Sequence, residues 1–350
     1  MLIGKIKDAQ CFYIYGAQVV AYGAYVAIKK LCGRVPAAFL VGRLQGNPKE
    51  IDGVPVEKLE KTELAPDVFV LVAVTELLQD EIVTALQARG ITNYFLFTAH
   101  EEHLLMSAYF DRIGKFPLAK EETEKSGVDF AMYEVRNHRD KPLTKRPPLQ
   151  AYEHTIQAGA VITEERVAPL LDNTGVNISA KNKQYCEMTA TYWVWKNTKH
   201  AWTGIEHYRR HLLVTPAMMT DDVDAILPFP YLCWPNTLMQ FRRFVGAEVV
   251  DALLRALKTL HPGEYAEYES ILNGPYQYTY NLVCARREAF EDYCTWFFHI
   301  TENMETMADT VPVLAETRAL SYVAEVLTNL YFMSHNTRWN IRHAEKAIYV

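Results

Sequence analysis

The sequence predicts an α/β protein in two domains, the first of them Rossmann-like with a parallel sheet. Short apolar segments alternate with helical ones through the first third of the chain, which is the order expected of β-α-β units. The length of 350 residues exceeds what one hydrophobic core usually holds. Residues 115–127 form a polar, charged segment with a proline, which suits a linker. We therefore expect one domain over residues 1–120 and a second over residues 121–350.

The N-terminal domain is predicted from strands and helices that alternate along the chain. The strand segments are residues 11–15, 35–41, 68–74 and 94–97. Residues 77–89 carry apolar side chains at helical spacing, and Gly90 ends this helix. This order of elements indicates a parallel sheet flanked by helices.

Gly16 marks the turn between the first strand and the helix after it. The dinucleotide fingerprint GxGxxG needs a second glycine two positions further on, where this chain has Gln18. An NAD-linked enzyme is therefore the weaker interpretation, and a tight turn before a helix N-terminus able to hold a phosphate is the stronger one. The segments YGAQVVAYGAY, IDGVPVEKL and VFVLVAV resemble the small nucleotide-sugar-binding domains of bacterial sugar-modifying enzymes. The resemblance implies a nucleotide- or nucleotide-sugar-binding domain.

The composition narrows the classes of function and location. A net charge of -6 and an isoelectric point near 6.0 argue against a general nucleic-acid binder. The six cysteines form no CxxC pair, which favours reduced thiols in a cytoplasmic protein over disulfides or a zinc site of cysteines. We expect no signal peptide, and the apolar runs are far shorter than the roughly 20 residues that span a bilayer. The expected location is the cytoplasm, with peripheral contact at the inner face of the membrane left open.

Polar motifs of the C-terminal domain concentrate between residues 170 and 197. Asp-Asn-Thr-Gly at residues 172–175 is turn chemistry, and Ser179 or Asn182 can cap the helix that follows. Aromatic residues recur at helical spacing along that helix and predict a core-facing side, whereas Glu187 lies on a different side. A polar loop at a helix start suits hydroxyls and phosphates, and an ordinary capped loop is the alternative.

A strand predicted at residues 202–206 leads into the run HYRRH at residues 207–211. Arginine suits bidentate contact with phosphate, and successive strand residues point to opposite faces. His207 and Arg209 are therefore expected on one face, at an anionic ligand. Tyr208 and Arg210 are expected on the other face, where they would hold the fold.

The two motifs together resemble a known family. DNTGxNISxKNxxYxExTxxYWxWKN followed by GxxHYRR is similar to a bacterial glycosyltransferase family of capsular and exopolysaccharide synthesis, long filed as a domain of unknown function and related to the GT-A glycosyltransferases. The resemblance runs from Asp129 to Leu327 and includes the segments DAILPFP, YNLVCARREAFEDYCTWFF and RALSYVAEVL. Two positions depart from the family pattern, with Val176 where an acidic residue is common and Val326 where an arginine is usual.

The resemblance implies a GT-A-like domain that transfers a hexose from a nucleotide-sugar donor, first of all a UDP-sugar, to a glycan or lipid-linked glycan acceptor. The pathway implied is capsular, exopolysaccharide or related surface-glycan synthesis. The residues implied at the donor are Asn177, Ser179, Lys181, Asn182, Trp193, Lys196 and Arg209. The catalytic candidates are Asp172, Glu187 and His207, with Glu206 as a further candidate base that spacing alone does not rank. Asn281 and Glu325 match polar positions that recur in the family.

A divalent metal, Mn or Mg, is left undecided by the sequence. GT-A enzymes often hold one on a DxD motif, and that spacing occurs here at Asp222 and Asp224, before a short strand, which favours a surface turn. Arg209 and Lys181 could supply positive charge instead. Glu325 lies seven residues after Arg318 on a predicted helix, where the two would form a structural salt bridge.

One alternative comes from another class of protein, a non-catalytic sugar-nucleotide sensor or assembly scaffold. It would use the N-terminal domain to bind the nucleotide. The sequence leaves the oligomeric state open.

Overall fold

The computed structural model describes residues 2–65, 67–122, 127–145 and 148–350. The chain divides into two compact units. The N-terminal unit comprises Met1–Pro117 with Tyr231–Pro235 and Val350, and the C-terminal unit comprises Leu118–Pro230 and Asn236–Tyr349. Part of the predicted linker at 115–127 falls on residues 123–126, outside the described residues.

The N-terminal unit is an α/β sheet with helices, as the alternation of segments predicts. Its strands are β1 Phe12–Tyr15, β2 Phe39–Val41, β3 Glu50–Ile51, β4 Val54–Lys58, β5 Phe69–Val72 and β6 Tyr94–Leu96. Its helices are α1 Leu2–Asp8, α2 Val19–Cys32, α3 Glu76–Gln87 and α4 Ala99–Ile113. The sheet order is β3-β4-β2-β1-β5-β6, parallel except for the β3–β4 pair. The Rossmann-like parallel sheet is confirmed.

Gly16 is required by a close backbone approach at the end of β1. Its φ is +120°, and a Cβ there would lie 2.5 Å from the carbonyl oxygen of Ala73, just beyond β5. A side chain would therefore clash with backbone that cannot move away cheaply. The glycine serves the tight turn into α2, as the sequence suggests.

The C-terminal unit is built on a larger mixed sheet. Its strands begin with β7 Phe130–Arg136, β8 Glu153–Gln157, β9 Leu170–Leu171, β10 Trp202–His207, β11 Arg210–Leu212 and β12 Ala225–Pro228. After β13 Tyr231–Leu232, which belongs to the N-terminal unit, come β14 Tyr276–Gln277, β15 Val283–Arg286, β16 Ile341–Ala344 and β17 Lys346–Ile348. The sheet order is β16-β12-β15-β10-β7-β8-β9, and β11 pairs with β10 and β17. The α/β class predicted for this half of the chain is confirmed.

Helices pack against one another and against this sheet. They are α5 Asn182–Tyr185, α6 Met188–Asn197, α7 Thr237–Val245, α8 Ala247–Leu260, α9 Tyr265–Asn273, α10 Arg287–Glu305, α11 Val313–Glu316 and α12 Ala319–Ser334. Helix α10 contacts β10, β15 and α12. Met132, Trp202 and Cys284 belong to one buried cluster, so the residues that alternate with them on β7, β10 and β15 point to the opposite face of the sheet.

The prediction of one continuous helix after the Asp-Asn-Thr-Gly turn is wrong. The chain forms α5, breaks at Cys186, whose φ is +47°, and resumes as α6. The break is held by side chains, because the Asn182 amide and the Thr189 hydroxyl both donate to the carbonyl of Cys186. These bonds compete with the helical hydrogen bonds. Neither Ser179 nor Asn182 caps the helix, also contrary to expectation.

The strand alternation predicted across HYRRH is also wrong. Strand β10 ends at His207, the next two residues form a turn, and Arg210 pairs directly with His207 as the first residue of β11. A two-residue turn reverses the chain, so alternation cannot be extended through it. Arg209 therefore does not share a strand face with His207.

Candidate functional site

The carboxyl ends of β7 and β10 mark the point where the sheet order reverses. From β7 the chain moves outward to β8 and β9 on one side, then returns to form β10 on the other side, all four parallel. In open α/β sheets, ligands bind in the crevice at such a switch point, outside the carboxyl ends of the strands. The loops after Arg136, Gln157, Leu171 and His207 all leave from this edge, which we call the carboxyl edge.

Asp172, just after β9, holds two of these loops together. Its carboxylate accepts hydrogen bonds from the backbone N–H groups of Gly159 and Ala160 at 2.8 and 2.9 Å, and from the Ser179 hydroxyl at 2.5 Å. Both Asp172 and Ser179 are 0% exposed. Buried charge of this kind is stable only when its oxygens are bonded, and here the bonds come from the protein itself. The catalytic role of Asp172 stays a prediction, and these contacts favour a bracing role.

Asn182 packs against the same group of residues, next to Gly159. A Cβ on Gly159, whose φ is +69°, would lie 2.5 Å from Cγ of Asn182, so the glycine makes room for this side chain. The Asn182 amide also donates to the Thr189 hydroxyl at 3.1 Å, and its oxygen lies 3.5 Å from the amide of Asn137. The loop after β7 is thereby tied to the loop between β9 and α5. Asn182 is predicted at the donor, and the structure places it under the loop surface.

The outer part of the loop after β9 presents the more exposed predicted donor residues. Asn177 is exposed and accepts from the N–H of Ser179 at 3.2 Å. Trp193 is half-buried, and its indole N–H donates to the carbonyl of Thr174 at 2.9 Å. Asn197 brackets Val176 by accepting from its N–H and donating to its carbonyl. These bonds fix the loop shape while leaving its surface accessible.

The two predicted donor lysines differ in what holds them. The Lys181 amine forms an ion pair with Glu305 at 2.7 Å. The Lys196 amine lies 3.2 Å from the centre of the Trp195 ring, a cation–π contact that keeps its charge at the surface of α6. Lys196 is exposed, so its charge is the more available of the two for an anion.

A second polar group lies at the carboxyl end of β10, around Tyr280. The His207 ring is hydrogen-bonded to the backbone of Tyr280, and the Arg210 guanidinium lies 4.3 Å from the centre of the Tyr280 ring. Burial lowers the pKa of His207, and the charges of Arg210 and Arg209 act in the same direction, so the ring is neutral near pH 7. Nε2 of His207 is buried and has no hydrogen-bond partner among the described residues. A buried ring nitrogen without a partner is suited to form a hydrogen bond with a hydroxyl of a ligand.

Glu187 and Glu325 complete this group, which we call the Tyr280 cluster (Glu187, His207, Arg210, Tyr280, Asn281 and Glu325). The amide of Asn281 donates to Oε1 of Glu187 at 3.0 Å. The backbone of Tyr280 hydrogen-bonds to Glu325, on α12. Burial raises the pKa of Glu325 to about 7, with the negative charge of Glu187 as the next cause. Two carboxyls thus share one enclosure, and burial makes the Glu325 carboxyl harder to ionise than an exposed one.

The backbone at Tyr280 and Asn281 is unusual. Their φ values are +69° and +52°, two successive left-handed residues that are not glycine. Such residues persist only where surrounding contacts hold them, and they concentrate at functional sites. The sequence marks Asn281 through the family pattern, but no sequence signal marks Tyr280 or the position of Arg210 against its ring.

Arg209 lies in the turn after β10, near the loop that follows β7. Its charge acts on Asp140, whose pKa is nevertheless raised to about 6 because burial is the largest cause. Arg209 therefore lies near Asp140, in the loop that follows β7. Its guanidinium also lies 5.8 Å from the centre of the Tyr208 ring.

The remaining acidic candidates are engaged elsewhere. Asp222 lies in a turn and accepts from the Thr220 hydroxyl at 2.5 Å, and Asp224 accepts from the N–H of Asn340 at 2.9 Å. Both also face arginines, Arg342 and Arg286, at 3.3 and 3.5 Å. The prediction of a surface turn is confirmed, and both carboxylates are already engaged by these hydrogen-bond and ion-pair partners. The Arg318 guanidinium, predicted to pair with Glu325, lies 5.0 Å from the centre of the Tyr322 ring.

The fold defines an α/β protein whose larger sheet has a topological switch point, with the candidate site residues at its carboxyl edge. The family model described as "Domain of unknown function (DUF4422)" matches residues 135–337, more than half of the chain, so the chain belongs to this family. The match covers the brace of Asp172, the β10–β11 turn and the Tyr280 cluster. No curated protein matches the sequence.

Among solved structures, the chain is similar to the WbbM bifunctional glycosyltransferase in its apo form. The similarity has a TM-score of 0.53 and 22% identity, and it covers 63% of this chain and 45% of that chain. The chain therefore spans less than half of the length of that protein, and the likeness at this identity concerns the fold. No helix in the described part of the chain is both long and apolar enough to cross a membrane.

Proposed function

We propose that this protein is a glycosyltransferase that moves a hexose from a nucleotide-sugar donor to a glycan acceptor. The observation that carries the proposal is the Tyr280 cluster at the switch point, where the carboxyls of Glu187 and Glu325 lie near a buried histidine nitrogen that has no hydrogen-bond partner among the described residues. Glycosyl transfer needs such a pair of environments, because a hydroxyl must lose a proton while a phosphate leaves. A similar fold in a glycosyltransferase supports the proposal.

Glu187 is the proposed general base. The Asn281 amide donates to its Oε1, and burial raises the pKa of the neighbouring Glu325 to about 7, which limits the repulsion between the two groups below that pH. In the transfer step the acceptor oxygen forms a bond to the anomeric carbon and its proton passes to Glu187. The bond from that carbon to the phosphate oxygen breaks, and its electron pair leaves with the nucleoside diphosphate. His207 orients a sugar hydroxyl through Nε2.

The diphosphate is proposed to lie between the loop after β9 and the turn after β10. Arg209 and Lys196 supply positive charge there, and Asn177 and Trp193 line the loop surface. Asp172, Ser179 and Asn182 act as positioning residues that hold this loop from beneath. Lys181 adds less charge because Glu305 pairs with it. Asp222 and Asp224 do not fit a Mn or Mg ion, so we route no step through a metal on that pair.

The finer assignments follow from the family resemblance. We propose a GT-A-like fold for the C-terminal domain, residues 121–350, and a UDP-sugar as the donor. The acceptor would be a glycan or lipid-linked glycan of capsular or exopolysaccharide synthesis, reached in the cytoplasm or at the inner face of the membrane. The N-terminal domain, residues 1–120, is proposed to bind a nucleotide or nucleotide sugar. Nucleic acid is not a proposed partner, since the net charge is -6.

The test combines turnover with binding. Purified protein is incubated with UDP-, GDP- and dTDP-sugars, with and without glycan acceptors, and nucleoside diphosphate release is measured. We expect release from at least one donor, and a loss of about 10²–10⁴-fold in Glu187→Gln. Titration calorimetry with UDP should show unchanged affinity in that variant. Glu267→Gln, an exposed change on α9, is the matched control.

Two other outcomes would replace the proposal. If UDP or a UDP-sugar binds but no donor and acceptor pair gives turnover, the sensor or scaffold alternative holds. If NADH fluorescence titration shows saturable binding while sugar nucleotides do not bind, an NAD-linked enzyme holds.

A further inference from the structure

A buried group of three metal-ligating side chains lies on the larger sheet of the C-terminal unit. Glu134 on β7, Glu206 on β10 and His211 on β11 each offer one ligand atom, and these atoms lie within 4.8 Å of one another. The carboxylates are 0% exposed and His211 is 3% exposed. Within the residues that the structure describes, they are the single such group of histidine, cysteine or acidic residues.

The strand register brings these residues together. Glu134 and Glu206 are direct partners in the parallel β7–β10 pair, so their side chains point to the same face of the sheet. His207 follows Glu206 and points to the opposite face, so this triad (Glu134, Glu206 and His211) lies across the sheet from the His207 side chain. The hairpin from β10 to β11 turns His211 back toward the two carboxylates.

The contacts within the triad are close, yet several do not satisfy hydrogen-bond geometry. Nε2 of His211 lies 3.1 Å from Oε2 of Glu134, and Nδ1 lies 3.4 Å from Oε1 of Glu206. Nε2 of His211 and Oε1 of Glu206 nevertheless have no hydrogen-bond partner in the described part of the chain. Leaving such buried atoms without a partner is costly, so each one calls for an explanation.

Metal coordination accounts for the short distance between Nε2 of His211 and Oε2 of Glu134, which is not a hydrogen bond. A hydrogen bond needs the N–H to point nearly at the oxygen. Two ligand atoms that each lie about 2.1 Å from one zinc ion, and 3.1 Å from each other, form an angle of roughly 95° at the metal. Their lone pairs then point at the metal and not at the other ligand atom. The separation of His211 and Glu134 is therefore that of neighbouring ligands in one coordination shell.

The charges around the triad also favour a cation. Glu134 and Glu206 place two buried carboxylates side by side, and a cation between them would offset their mutual repulsion. The Arg136 guanidinium pairs with Oε1 of Glu134 at 2.5 Å, and Oε2 of the same carboxylate faces His211. Residues that bind a metal are commonly held in orientation by such a second hydrogen-bonding partner. The Tyr349 ring packs edge-on against His211 and closes the site.

We propose that Glu134, Glu206 and His211 bind one divalent metal ion of the zinc class, in a site formed by β7, β10 and β11. One imidazole and two carboxylates suit zinc better than magnesium or calcium, which take six or more oxygen ligands. Three protein ligands leave one position of a tetrahedron for water. The metal ties the β10–β11 hairpin to β7 and so fixes the turn that carries Arg209. This inference does not depend on the proposed function.

The experiment uses the full chain, stripped with a chelator, and zinc chloride as the probe. We expect about one equivalent of bound zinc by mass spectrometry of metals, a rise in Tm on adding zinc, and d–d absorption bands of a four-coordinate site when cobalt(II) replaces it. His211→Ala and Glu206→Gln should lower zinc affinity by at least about tenfold. His200→Ala, at a more exposed histidine paired with Asp129, is the matched control and should bind normally.

The alternative is that His211 bridges the two carboxylates as a charged imidazole without a metal. Stripped wild-type protein that folds normally by circular dichroism, yet takes up no stoichiometric zinc, would overturn the proposal. So would zinc binding that is lost in His200→Ala but kept in His211→Ala and Glu206→Gln. Because the stripped wild type carries the decisive measurement, a variant that fails to fold does not leave the proposal untested.

Discussion

The side-chain amide of Asn281 donates a hydrogen bond to Oε1 of Glu187 at 3.0 Å, joining a break between two helices to the segment before β15. The Asn281 oxygen accepts from the Thr328 hydroxyl at 3.1 Å, so one amide links Glu187 to α12. The backbone of Asn281 is left-handed, with φ of +52°. Asparagine adopts this conformation at lower cost than most residues, and its amide supplies both a donor and an acceptor.

Asn281→Ala should therefore lower stability as well as alter the site. The change removes both hydrogen bonds and leaves buried partners, which costs about 1–3 kcal/mol, and alanine in the left-handed region adds roughly 1 kcal/mol. The free energy of unfolding from urea denaturation measures the loss. Asn273→Ala, at an exposed position on α9, should change it by less than about 1 kcal/mol. Equal losses in the two variants would contradict the role given to Asn281.

Glu325 should make stability depend on pH. Its pKa in the folded protein is about 7, above the ordinary 4.5, so the folded state holds a proton that the unfolded chain releases. Stability from this group is full below pH 4.5 and falls as the pH rises toward 7. Glu325→Gln has no carboxyl to ionise at this position. The difference in free energy of unfolding between this variant and the wild type should therefore shift in favour of the variant by on the order of 3 kcal/mol across that pH range.

Urea denaturation of both proteins between pH 4.5 and pH 8 measures this difference. A constant difference across the range would mean that Glu325 titrates alike in the folded and unfolded states. Glu267→Gln, at an exposed position, should track the wild type throughout.

Asp172→Asn should separate a bracing role from a catalytic one. Both oxygens of Asp172 accept hydrogen bonds, so the amide NH₂ group of an asparagine would face a hydrogen-bond donor. The lost bond should lower the free energy of unfolding by about 1–3 kcal/mol. We expect a lower Tm, a raised KM for the donor and a smaller effect on kcat. Asp309→Asn, at an exposed carboxylate, is the control. A kcat loss above about 10²-fold with unchanged Tm would instead make Asp172 catalytic.

Arg209→Ala should weaken binding of the diphosphate. A charged hydrogen bond to phosphate contributes about 1.5–3 kcal/mol, so the Kd for UDP should rise by roughly 10–100-fold. Arg209→Lys should recover part of the loss, because lysine keeps the charge but not the bidentate geometry. Titration calorimetry gives these values, with Arg255→Ala on the exposed face of α8 as the control. Unchanged affinity in Arg209→Ala would place the diphosphate elsewhere.

Much of the fold follows from local sequence patterns. The buried strand β5 is a continuous apolar run, and the helix before Gly90 has a clear period, so neighbouring residues alone predict both. The break at Cys186 could not be predicted in this way, because it depends on bonds from Asn182 and Thr189 that compete with helical ones. The two-domain boundary near residue 120 and the predicted site residues stay predictions.

The sequence by itself determined the α/β class, the strand that ends at HYRRH, and the polar loop that begins at Asp172. Tertiary structure decided which of these side chains face one another. Arg210 and His207 became partners across a turn, and Tyr280 and Glu325 joined them from segments at least seventy residues away. Strand register and helix packing fix such contacts, and neither is encoded by the spacing of residues within one segment. The same register places Glu134 beside Glu206. The triad could therefore not be predicted from the order of residues in the sequence.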